Sequence, residues 1–133
     1  MLSKKPTRPP TLALVADQRI PGVEGSYVWS GRAVDRLLQV PPERTVVRGG
    51  EILRFEGDGP PSDEAFLWAY PLSDGKHAKL LPAWEGPLDP HRLAWRVDLA
   101  PGDYVVAIFR VWTRHGDVTH YFALKVIPAA SGE

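Results

Sequence analysis

The sequence predicts an all-β fold: an immunoglobulin-like antiparallel β-sandwich of about seven or eight strands. Three observations predict it. Short apolar runs recur between turn signals along the whole chain. The fourteen prolines fall between these runs and not inside them, as they must where the backbone donates ladder hydrogen bonds. Residues 99–112, LAPGDYVVAIFRVW, set a Pro-Gly turn just before ten residues that could bury both faces of a sheet.

Taken in order, the first strand is TLALVA, residues 11–16. SYVWS at 26–30 follows Gly22 and Gly25, and GEILRF at 50–55 follows an RGG turn. AFLWAY at 65–70 lies between Pro60-Pro61 and Pro71. LAWRVDL at 93–99 alternates cleanly, with Leu93, Trp95, Val97 and Leu99 facing in and Ala94, Arg96 and Asp98 facing out. The last two strands, 103–112 and 117–127, are joined by TRHG at 113–116, which reads as a hairpin loop. Only RAVDRLLQV at 32–40 has helical spacing, with Val34, Leu37 and Leu38 on one face, and Pro41-Pro42 limit it to one or two turns. Residues 1–10 read as a flexible leader, 11–128 as one sandwich domain and 129–133 as a tail.

Composition narrows the function classes. Sixteen Lys plus Arg balance sixteen Asp plus Glu, so no global field draws the chain to nucleic acid or anionic lipid. With no cysteine there are no disulfides, thiolate zinc sites or Cys nucleophiles. No apolar run reaches the length of a membrane helix. MLSKKPTRPP is basic but lacks the apolar stretch of a signal peptide, so either the protein is cytosolic or an anchor upstream of it has been removed. Asparagine is absent, glutamine occurs twice and methionine once, a depletion that with the many prolines predicts a thermophilic source.

L-x-P-G-x-Y at 99–104 has the order of a tyrosine corner, in which the Tyr104 hydroxyl bonds backbone a few residues upstream. The plainer reading is a core aromatic with a wet tip. The strand after it is apolar twice over. Tyr104, Val106, Ile108 and Trp112 form one face, interrupted by Arg110, while Val105, Ala107, Phe109 and Val111 form the other. Its partner opposes Val118, His120, Phe122, Leu124 and Val126 to Thr119, Tyr121, Ala123 and Lys125. With the first set of each facing the core, Phe109, Val111 and Tyr121 lie together outside. Either 32–40 or the leader covers them, or they mark an interface.

These motifs resemble a group of small exported proteins and lipoproteins of Firmicutes-type bacteria. The resemblance rests on GSYVWSGRAVD, on V-x-x-G-E at 47–51 and on PGDY…W…GD…YF, and it covers residues 21–128. In that group the first motif usually reads Y-C-W…C-V-D. The resemblance therefore implies that a Cys pair is replaced here by Val28 and Ala33. It further implies an immunoglobulin-like sandwich and an extracellular or cell-surface location, often with a lipid anchor. It implies no activity.

Among candidate sites, Trp29, Arg32 and Asp35 in a Gly-flanked loop read as a small pocket for a peptide or anionic ligand. The structural alternative has Trp29 plugging the core and Arg32 or Arg36 pairing with Asp35. His115, Asp117 and His120 surround one hairpin, but His120 points inward and His115 sits at the tip, so no metal is expected. Ser26 and Ser30 lack a nucleophile elbow, and there is no P-loop, H-E-x-x-H or dinucleotide fingerprint. EGDGPPSDE at 56–64 reads as a solvated loop and not a calcium loop. Trp68 and Trp84 are the plausible members of a carbohydrate platform. The sequence thus predicts a non-catalytic module without cofactor that binds a protein partner or itself. Its binding residues would be Phe109, Val111 and Tyr121, or Trp29, Arg32 and Asp35. The other functional classes are a small-ligand or carbohydrate-binding module and a protease inhibitor presenting a loop.

Overall fold

In the computed structural model, residues 8–129 are described. Among them there is no helix and there are twelve strands. The first six are β1 (Leu12–Val15), β2 (Arg19–Pro21), β3 (Val23–Trp29), β4 (Arg32–Val34), β5 (Arg44–Arg48) and β6 (Ile52–Gly57). The others are β7 (Glu64–Ser73), β8 (His77–Ala78), β9 (Trp84–Leu88), β10 (Ala94–Arg96), β11 (Gly102–Trp112) and β12 (Gly116–Ile127). They form two sheets of a sandwich, as the proline punctuation predicts. The smaller sheet runs β10-β6-β1-β2. The larger runs β4-β3-β12-β11-β7-β8, with β9 beside β7 and β5 beside β12. β5 lies parallel to residues 123–127 of β12, and every other strand pair is antiparallel. A parallel neighbour needs a long connection, and β6 to β11 all lie between β5 and β12 in the chain.

Each of the seven predicted strands overlaps an observed one, and five short strands are added. β9 escapes the sequence because Gly86 and Pro87 lie inside it, which only an edge strand tolerates. The helical reading of 32–40 is wrong. Ser30 and Gly31, both with positive φ, make a two-residue hairpin turn that pairs Trp29 with Arg32 and Tyr27 with Val34. Turn chemistry therefore overrides the apolar spacing, and Leu37 is left 89% exposed. Pro9 and Pro10, read as leader, belong to the fold. Pro9 is buried, and the Pro10 carbonyl accepts a hydrogen bond from Arg110. Residues 1–7 of the expected leader and 130–133 of the expected tail lie outside the described residues.

The core lies between the sheets. Leu12 and Leu14 of β1, Leu53 and Phe55 of β6 and Trp95 of β10 meet Leu67 of β7, Val106 and Ile108 of β11 and Leu124 of β12. Burying each of the large side chains contributes about 1.5–3 kcal/mol. The tyrosine corner is present: the Tyr104 hydroxyl donates to the Ala100 carbonyl at 2.7 Å, and burial raises its pKa. The predicted hairpin 113–116 also forms, pairing Trp112 with Gly116. Gly116 has φ 143°, and a Cβ there would stand 1.8 Å from the Val28 carbonyl oxygen, so no other residue fits.

Candidate functional site

The outer face of the larger sheet carries the site. Along β11 the small residue Ala107 is flanked in register by Trp68 of β7 and Tyr121 of β12. A low side chain between two tall aromatic ones makes a groove. One step along, Phe109 lies between Phe66 and Thr119. The groove has a volume of about 350 Å³, with Trp68, Tyr70, Phe109, Thr119, Tyr121 and Leu38 around Ala107. The Phe66, Trp68 and Phe109 rings form a tilted row, with centroids 6.0 Å and 6.4 Å apart along it. Such ring pairs add about 0.5–1.5 kcal/mol to the area they bury.

Phe109, Val111 and Tyr121 are on the outer side, as the alternation predicts, but they are not equally open. Phe109 and Val111 are half-buried. Tyr121 is 7% exposed because its ring lies across Gly25 of β3, where a Cβ would come within 2.5 Å of it. Burial first, then Tyr70, raises the pKa of its hydroxyl. The segment after β4 covers part of the face in extended form: Val40 packs against Val105, Ala107 and Tyr121, and Leu38 lines the groove. A second groove of about 600 Å³ continues from it, with Leu37, Leu38, Tyr70 and Leu80 along it and Lys76 and Lys79 at its rim. Leu80 and Leu81 are 96% and 79% exposed.

Trp29 and Arg32 are opposed across the β3–β4 hairpin, but Trp29, Arg32 and Asp35 do not line one pocket. Trp29 is buried, edge-on to Trp112 at 5.3 Å and stacked on His115 at 5.6 Å. A cavity of about 450 Å³ touches Trp29, but Glu24, Asp58, Trp112 and His115 share it, with Arg32 and Asp35 absent from its lining. Arg32 and Asp35 are exposed. Arg36 pairs not with Asp35 but with Glu24, at 2.9 Å, and stands over the Tyr27 ring. The Ser26 hydroxyl is structural, accepting from the Arg36 N–H and donating to the Arg36 carbonyl. Val28 and Ala33 face each other across β3 and β4. Trp68 and Trp84 do not share a platform: Trp68 is on the outer face, while Trp84 turns inward, 5.4 Å from Trp95. His115 is exposed at the hairpin tip and His120 is 1% exposed in the core. Among the described residues no three potential metal ligands cluster.

Sequence reasoning missed the role of residues 57–63. This loop is pinned over one end of the sandwich. The Pro60 carbonyl accepts from Trp112 Nε1 at 3.0 Å, and Asp58 accepts from the Thr11 N–H and hydroxyl. Asp63 accepts from the Thr113 N–H, which holds its carboxyl below the usual range. The signal available in the sequence was the interruption of an apolar strand face by Arg110.

No family model and no curated protein matches the chain. Among solved structures, the extracellular domain of a one-component system from B. thetaiotaomicron is similar to it at a TM-score of 0.44 and 12% identity. That alignment covers 96% of this chain and 16% of the other, so the chain spans about a sixth of the structure it matches.

Proposed function

We propose that the chain is a non-catalytic module of the cell exterior that binds a protein partner through the outer face of its larger sheet. One observation carries the reading. Trp68, Tyr70 and Phe109 line an open groove that runs on to Leu37 and Leu80, which stand in solvent. Isolated exposed apolar residues need no explanation, but a contiguous aromatic and aliphatic surface marks an interaction site. Aromatic residues in a half-closed pocket are the usual anchors of such interfaces. Lys76 and Lys79 rim the second groove, so the partner would present an apolar knob flanked by acidic residues.

A photo-crosslinking residue at Leu80, in cells that produce the protein, tests the proposal. It should trap one protein, and Phe109→Glu should abolish the product. The same residue at Arg19, on the smaller sheet, should trap none. Equal products from both positions, or a dimer of the chain in sedimentation, would overturn the reading.

A further inference from the structure

Among the described residues, three of the four buried polar side-chain atoms without a hydrogen-bond partner belong to one neighbourhood: Arg110 Nε, Ser62 Oγ and His120 Nδ1. Arg110 is 2% exposed, and among the described residues it makes no ion pair. Its Nη2 donates to the Pro10 and Thr11 carbonyls at 3.2 Å and 3.1 Å, and its guanidinium stands 4.8 Å from the centre of the Trp112 ring. Asp58 lies close enough to act on this buried cation but makes no ion pair with it, and buried charges are ordinarily paired directly. His120 beside it adds no second cation. Burial first, and then Arg110, push its pKa down to about 3, so it is a neutral imidazole.

A cavity of about 170 Å³ adjoins this cluster beneath the 57–63 loop. Arg110, Ser62 and Asp58 line it together with apolar walls from Phe55, Leu93 and Pro60. We propose that this cavity binds a short aliphatic monocarboxylate, with its carboxylate on Arg110 and Ser62 and its tail against the apolar walls. With Nη2 engaged by the Pro10 and Thr11 carbonyls, the free Nε–H is a charge-assisted donor for one carboxylate oxygen. The volume suits an acid of a few carbons. Asp58, whose carboxylate already accepts from Thr11, lies close enough to act on Arg110 and disfavours a dianion such as phosphate. This site lies at the end of the core, apart from the outer-face groove, so either proposal can fail alone.

The test follows the Arg110 Nε–H resonance of the ¹⁵N-labelled chain, assigned through bonds, while propionate is added. Propionate should shift it saturably, and propionamide and chloride at equal concentration should not. Ser62→Ala should weaken propionate binding roughly two- to tenfold, the worth of one hydrogen bond, without lowering the melting temperature of the free protein. No saturation, or an equal response to propionamide, would overturn the proposal. So would a crystal grown with propionate that shows only water at Arg110 Nε.

Discussion

The two faces of β11 share one strand, nearly one composition and one pair of neighbours, yet they end in different places. On the inner face Val106 and Ile108 are wholly buried against β1 and β6 of the smaller sheet. On the outer face Phe109 and Val111 remain half-open, because the smaller sheet lies on the other side and the segment around Val40 covers only the part near Val105, Ala107 and Tyr121. Hydrophobicity alone does not decide burial. Cover decides it: a whole sheet lies over the inner face, while on the outer face Val105, Ala107 and Tyr121 are buried and Phe109 and Val111 are not.

Truncation gives the largest effect and the sharpest contrast. Ile108→Ala should destabilise by about 2–5 kcal/mol, since it leaves a cavity in a packed interior. Phe109→Ala, though it removes more atoms, should cost only about 1–2 kcal/mol, because its ring is already part-solvated. Urea midpoints of the two variants measure both, and equal losses would break the distinction between the faces.

The inner face also sets a pH dependence. His120 has a folded pKa of about 3 against an ordinary value of 6.5. Above pH 6.5 both states are neutral there. Below it the unfolded chain takes a proton that the folded one refuses, so stability falls with falling pH by up to ~1.4 kcal/mol per pH unit until about pH 3. His120→Leu should flatten this slope, as read from urea midpoints at about pH 7 and about pH 5. A slope unchanged by the substitution would show that other groups carry it.

The smallest effect concerns the corner that turns the chain into β11. Tyr104→Phe should cost about 1 kcal/mol, the worth of its bond to the Ala100 carbonyl. Differential scanning calorimetry would register it, and no change in stability would mean that water replaces that bond.

Much of this was legible beforehand. Alternation in LAWRVDL placed Trp95 and Val97 in the core, and L-x-P-G-x-Y announced the bond from Tyr104. Both signals are local, with period and turn chemistry contained in a few residues. The 32–40 segment misled, because Val34, Leu37 and Leu38 satisfy a helical spacing while Ser30-Gly31 next to them demand a hairpin. The candidate site was half legible. Alternation put Phe109, Val111 and Tyr121 on one side, but that Tyr121 is shut by Gly25 and that Leu80 joins the surface depends on strands distant in sequence. Trp29 and Arg32 are opposed across the tight hairpin, whereas Asp35 lies beyond the end of β4 and outside that pairing, so the three do not make one pocket.

By itself the sequence determined the class of fold, the main strands, the corner and the existence of a surplus apolar face, all of which follow from periodicity and from where proline and glycine stand. Only the tertiary structure decided which strands are neighbours, how far that face is covered, and that Arg110, Ser62 and His120 meet beneath one loop. These depend on contacts between segments far apart in the chain, and a one-dimensional pattern states that a side chain must be buried without stating against what.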